Sequence, residues 1–339
     1  MSTTTAKEKA AKGKAPFYLA AAREGQTSIE ADAAPRVVDR WIEQKPDELW
    51  LDLLSPSAES LAYLKDKFNL HPLAIEECDH SGVRPKIEQF EGHLYIVLHG
   101  INHNPGENQL DTVEFKFFLR RNLLISIHDK PSSSVRGTQE RLHRDRPLLS
   151  RGGADTVFHH IVDAVVDHYF PILEALETQL EELEGAIFRD PSDHLLEDML
   201  LLQRKFLTLH RIVHPQQDIL GALSSGRFAE IEDADIAYFR DVYDHLQRIS
   251  ERIQIAREML TGAMQCYLSQ VANHTNTVMK SLAILATVLL PVTFLTSLMG
   301  MNIEHTPGRT DPTTFWFVTG ASLVVSIALL VICRHKRWL

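Results

Sequence analysis

The residues with the clearest chemical potential are Gly300, Met301 and Asn302, which directly follow a stretch without a charged side chain. Asn302 offers a neutral amide oxygen, and Gly300 permits an unusual backbone beside it. A ring of such oxygens, one from each of several copies, suits a hard cation. It suits Mg2+ in particular, because Mg2+ sheds water reluctantly and can be held through its hydration shell. Full charges would hold a dication too tightly for release. Glu304 and Asp311, just beyond, can concentrate cations at the mouth without standing in the path. A second amide, Asn276, lies just ahead of that apolar stretch.

These side chains must be positioned by the segments that carry them. Residues 281–303 and 312–333 contain no Asp, Glu, Lys or Arg, although 24% of the chain is charged. A bilayer-spanning helix needs about 20 such residues. The chain therefore reads as ending in two transmembrane helices joined by a short polar loop, 304–311. Arg334, Lys336 and Arg337 follow the second span and Lys280 precedes the first, whereas the loop has Arg309 against Glu304 and Asp311. The excess of bases places both termini on the cytoplasmic side. The start, 1–15, is rich in Thr, Ala and Lys with no apolar core, so it is expected to be a disordered leader and no signal peptide.

A lone hairpin cannot enclose a polar lumen, so several copies must assemble. The first span is the more polar of the two. Steps of three and four along it collect Asn276, Met279, Ala283, Ala286, Leu290, Thr293 and Ser297, a seam polar at its ends and apolar between. Such a seam can line a pore with a dewetting gate at Met279, Ala283 and Leu290. It can equally pack against the second span, and spacing alone leaves both readings open.

The remaining chain is polar and acidic: the net charge is -10 with slightly negative mean hydropathy. That balance disfavours nucleic-acid binding. Cys78, Cys266 and Cys333 are isolated and unpaired in spacing, as in a reducing compartment. Residues 16–152 read as an α/β domain. A short strand at Trp50-Leu51-Asp52-Leu53 is followed by a helix capped by Ser57, and strands are expected at 85–90, 93–101, 113–119 and 123–128. Residues 153–279 read as a helical stalk. One helix is expected over 157–187, a second from about 192 with a possible break at Pro215, and a third running unbroken from about Asp233 into the membrane. The spans are placed at 280–300 and 313–333, the loop at 301–312 and a basic tail at 334–339.

Other clusters carry less. Glu174, Glu177, Glu181, Glu182 and Glu184 could bind metal, but a solvated helix face is the favoured reading. Of 17 His, His159-His160 is the one adjacent pair, and no His-x3-His or Cys-x2-Cys spacing accompanies it, so the histidines are read individually. No phosphate-binding Gly loop, nucleophile elbow or zincin helix is present, which argues against an enzyme and against a bound cofactor.

The segments Asn273-His274-Thr275-Asn276-Thr277-Val278-Met279-Lys280, Leu290-Pro291-Val292-Thr293-Phe294-Leu295-Thr296, Gly300-Met301-Asn302 and Lys336-Arg337-Trp338-Leu339 resemble the CorA-type magnesium transporter family. Arg84-Pro85-Lys86-Ile87-Glu88 resembles that family's cytoplasmic domain. The resemblance implies an α+β membrane protein of the bacterial inner membrane, a funnel-shaped homopentamer. In it the first span would line the pore, Gly300, Met301 and Asn302 would form the outer selectivity ring, and Asn276 would lie at the inner end. It also implies closure by intracellular metal bound between cytoplasmic domains, for which Glu107, Asp111 and Asp241 are the candidate carboxylates. Two positions depart from the magnesium pattern: Met299 replaces an aromatic residue, and Thr306-Pro307-Gly308 replaces an acidic loop. Phe294-Leu295-Thr296, the Pro-Gly loop and Pro215-Gln216-Gln217-Asp218 look more like the ZntB zinc-transport branch, which usually has Val in place of Met301 and no acid at Glu304. The expected activity is divalent-cation transport, Mg2+ (with Co2+ or Ni2+) ahead of Zn2+; a membrane-anchored regulatory scaffold is the alternative from another class.

Overall fold

The computed structural model describes residues 17–102, 110–189, 193–301 and 312–335. Its first elements are two strands, β1 (Phe17–Arg23) and β2 (Gln26–Ala33), joined through Glu24 and Gly25. Both turn residues have positive φ, 51° and 77°, the two-residue geometry that matches strand twist. Then come α1 (Pro35–Glu43), β3 (Glu48–Leu54), α2 (Ala58–Phe68), α3 (Pro72–Cys78) and four strands: β4 (Lys86–Phe90), β5 (His93–Asn102), β6 (Asp111–Arg120) and β7 (Leu123–His128). The Ser57 hydroxyl accepts the N–H of Ser60 at 3.2 Å, capping α2 as its position suggests.

The seven strands form one sheet in the order β2-β1-β3-β7-β6-β5-β4. Only β3 and β7 run parallel; the other neighbours are antiparallel. Alternation along each strand serves two cores. Leu49, Leu51, Leu53, Ile125, Ile127 and Phe118 pack with Leu61, Leu64, Phe68 and Ile75 of α2 and α3 on one face. The opposite face carries Trp50 and Phe117, both fully buried. Trp50 donates through Nε1 to Ser126 Oγ at 3.0 Å, and Ser126 in turn donates to Asp52. A strand buried on both faces reads as a continuous apolar run, which is why β3, β5 and β7 were recognisable from sequence.

Six further helices follow: α4 (Ser133–Arg144), α5 (Pro147–Asp167), α6 (Tyr169–Ile187), α7 (Asp193–Leu223), α8 (Asp233–Gly300) and α9 (Pro312–His335). α5 covers the second face of the sheet, with the Phe158 ring 5.0 Å from that of Phe117. The single helix expected over 157–187 is two helices separated at His168. Pro171 has no N–H for the carbonyl of Asp167 and its ring crowds that turn, so the α-helical ladder stops just ahead of it. The break suggested at Pro215 does not occur, and α7 runs through it. The neighbouring Gln216 is buried there: its Nε2 donates to Tyr169 Oη and to the Ile212 carbonyl, and its Oε1 accepts from the His99 N–H. Those bonds hold the helix to β5 and outweigh the local defect. On α6, Glu174, Glu181 and Glu182 are exposed and Glu177 pairs with Arg252 at 2.5 Å.

The chain divides into two compact units. One comprises residues up to 184 together with 196–261, and the other 185–195 with 262–339. In the first, Glu48 at the start of β3 accepts the Ala154 N–H at 3.0 Å, beside Gly153, whose φ of 79° interrupts α5. Asp155, also buried, accepts the Glu232 N–H. Burial, then the negative charges of Asp155, Glu232 and Asp47, push the Glu48 carboxyl up to about 7, against the pull of the Ala154 hydrogen bond. Burial likewise raises Asp155 to about 6. The folded state thus holds a proton that the unfolded chain has released, and stability falls as pH rises from about 4.5 through about 7. Glu48→Gln keeps the acceptor oxygen and removes the charge. Its thermal midpoint should exceed that of the parent at pH 8, by on the order of 2 kcal/mol in stability, and match it at pH 4; equal midpoints at both values would remove the assignment.

Candidate cation path and metal-binding cluster

In the second unit the last part of α8 and the whole of α9 are long and apolar enough to cross a bilayer. Each has one partly covered stripe. On α8 it comprises Ile284, Val288, Pro291, Val292 and Leu295; on α9 it comprises Val318, Ala321, Ser322, Ser326, Leu329 and Cys333. Spacings of three and four put each stripe on one face of its helix. The seven seam residues, Asn276, Met279, Ala283, Ala286, Leu290, Thr293 and Ser297, are all exposed. Counting about 100° per residue, the seam lies roughly opposite the covered stripe of α8. Within a single chain these residues are not covered by the second span.

The seam is chemically graded. Met279 and Leu290 are 58% and 69% exposed, and Leu290 has the small Ala286 on one side and Thr293 on the other. The Thr293 hydroxyl donates to the Leu289 carbonyl at 2.9 Å, leaving its lone pairs for a hydrated ion. Pro291, inside α8, has no N–H for the carbonyl of Thr287, so one backbone oxygen at membrane depth is without its helical partner.

Gly300 ends α8. Its φ is not among the positive values, so the unusual backbone expected there is absent, and a Cβ on it would meet nothing within 4 Å. Among the described residues nothing requires a glycine there; helical geometry is reached without it. Met301 follows and is exposed. Asn302, Glu304, Asp311 and Thr306-Pro307-Gly308 lie outside the described residues, as does Glu107.

In the first unit, ligand atoms of Asp163, Asp167 and His245 lie within 4.8 Å of one another. Asp163 and Asp167 are one turn apart on α5; His245 and Asp241 are one turn apart on α8. His245 Nδ1 is 3.9 Å from Asp167 and Nε2 is 3.7 Å from Asp241. Nδ1 is buried without a hydrogen-bond partner. Burial and the neighbouring charge of Asp167 raise the Asp163 carboxyl above its ordinary range, with His159 and His245 opposing and Asp241 adding to the rise. A dication would relieve that crowding of negative charge, and oxygens with one imidazole can ligate it. Of the carboxylates considered from sequence, Asp241 is not one of the three residues of this group; it lies beside the other ring nitrogen of His245. Asp111 is not one either: Lys130 Nζ holds it at 2.5 Å. Asp163 and Asp167 escaped notice because their helix was read only for its apolar stripe, although their four-residue spacing was visible.

Residues 47–335 match the family described as CorA-like Mg2+ transporter protein. The cobalt/magnesium transport protein CorA of Thermotoga maritima is 30% identical over 272 residues, covering 80% of this chain and 78% of that protein. The zinc transport protein ZntB of Yersinia enterocolitica is 27% identical over 324 residues, 93% of each. The solved structure of the CorA magnesium transporter from Methanocaldococcus jannaschii superposes with a TM-score of 0.81 at 21% identity, covering 96% of this chain and 99% of that one. With the α/β unit, the long α8 and the two candidate spans in place, the chain belongs to the CorA-like Mg2+ transporter protein family, metal-ion transporters and not enzymes.

Proposed function

We propose that the chain moves divalent cations across a bacterial inner membrane as a homopentamer whose pore is lined by the α8 seam. The observation that carries this is the seam itself: charge-free, polar at both ends, and turned away from the partly covered stripe Ile284, Val288, Pro291, Val292 and Leu295. In this reading Gly300, Met301 and Asn302 form the outer ring, Asn276 the inner one, and Glu304 and Asp311 gather cations outside. Both termini lie in the cytoplasm, following the basic flanks. Inward movement of a dication gains roughly 4.6 kcal/mol per 100 mV of inside-negative potential, twice the single-charge value, so no coupled energy source is needed. The Asp163–Asp167–His245 group serves as the cytoplasmic sensor. Its occupancy bears on the helix that also lines the pore.

Mg2+ is the first choice of ion because the motif is Gly-Met-Asn. Zn2+ is the second reading, favoured by the ZntB relative at nearly the same identity as the CorA one. Liposomes containing the purified chain and ion-selective dyes separate them. Mg2+ uptake driven by an inside-negative potential alone is the expected result. Zn2+ uptake that accelerates with a proton gradient, with no Mg2+ flux, would reverse the order.

A further inference from the structure

His210 and His214 stand one turn apart on α7, ring centroids 5.3 Å apart and planes within 13° of parallel. Contrary to the expectation from sequence that no such spacing is present, the pair is His-x3-His, the arrangement that puts two imidazoles on one helix face toward a shared zinc ion in zincin helices. His214 is exposed and His210 half-buried, so an ion can approach from solvent. His214 Nδ1 donates to Gln217 Oε1 at 3.3 Å. That bond fixes the tautomer and leaves Nε2 as a bare lone pair, the arrangement of a ring prepared for ligation. Burial, then the Arg257 guanidinium on α8 and the second ring, hold His210 below its ordinary pKa. Both effects keep the imidazole neutral near pH 7, as ligation requires, while the guanidinium charge tempers the affinity for a cation.

We propose that His210 and His214, with water filling the remaining positions, chelate a first-row transition dication of the Zn2+, Co2+ or Ni2+ class. Two imidazoles suit those ions, whereas Mg2+ takes oxygen ligands and rarely gives up its water for nitrogen. The site is therefore separate in selectivity from the oxygen-rich Asp163–Asp167–His245 group. It lies outside the candidate spans and does not depend on how the pore works.

The test is equilibrium Zn2+ binding to the purified full chain in detergent, against a chromophoric chelator, with millimolar Mg2+ present throughout to occupy oxygen sites. The parent should hold one Zn2+ per chain that His214→Ala and His210→Ala each weaken at least about tenfold. Equal stoichiometry and affinity in the parent and both variants would overturn the proposal. A readout without substitution guards against misfolding. Carbethoxylation of His214 in the parent should slow when Zn2+ is added and not when Mg2+ is added, and an unchanged rate with Zn2+ would likewise overturn it.

Discussion

Liposomes carrying the Asn302→Ala chain should take up divalent cations no faster than empty vesicles, whichever of Mg2+ or Zn2+ is offered. The parent in the same vesicles should show uptake that saturates with ion concentration. The reasoning rests on what each copy can present at the outer mouth. Gly300 has no side chain, Met301 offers a thioether that hard cations ignore, and Asn302 supplies the one strong neutral acceptor in the motif. Methyl groups in its place leave a ring that cannot bond the waters of a hydrated dication, so the ion is no longer held at the mouth. Production and assembly of the variant are checked alongside by size-exclusion chromatography, so that lost uptake is read only from correctly assembled protein. Undiminished uptake by correctly assembled Asn302→Ala would remove the filter from these residues.

Leu290→Asn should act in the opposite sense. The parent residue is 69% exposed on the seam, in its narrow apolar middle. A ring of leucines at membrane depth repels water, and an ion cannot cross without its hydration shell. Carboxamides in the same place keep the constriction wet. Uptake should then rise at least about tenfold, which corresponds to a barrier lowered by about 1.4 kcal/mol, and should no longer fall when Mg2+ is loaded inside the vesicles. Stopped-flow dye traces at several internal Mg2+ concentrations measure both effects. Unchanged rates and retained inhibition would place the gate elsewhere.

Much of this arrangement was legible in the residues alone, for reasons particular to each element. Two charge-free runs announce the spans because a charge at membrane depth is costly, and Ser57 announces α2 because few other residues close a helix start so well. β5, β6 and β7 were visible as apolar runs bounded by turns. β1 was not, since Ala20-Ala21-Ala22 carries little strand preference and is buried by its partners on both sides instead. The separation of α5 from α6 was missed because Val165 and Ile172 continue the apolar stripe across it; Pro171 was the available signal. At Pro215 the error ran the other way, since the tertiary bonds of Gln216 cannot be foreseen from local propensity.

The site divides in the same manner. A three-and-four spacing identifies which residues of α8 share the seam, but the direction the seam faces depends on the stripe opposite, and that is known only once α9 is in place. Asp163, Asp167, Asp241 and His245 are separated by about 80 positions in the chain, so no spacing rule joins the two pairs; folding does. Gly300 illustrates the limit from the other side. Its position in the motif suggested a special backbone, yet the helix simply ends there and a Cβ would meet nothing within 4 Å among the described residues.

Everything proposed for transport rests on copies closing a ring around α8. Imaging the purified chain in lipid nanodiscs, as single particles, examines that directly. The expected particle has five copies, with α8 innermost and the Gly300-Met301-Asn302 segments converging on the axis. A monomer or dimer, or a ring with α9 lining the axis, would contradict the pore and leave the chain as a membrane-anchored regulator.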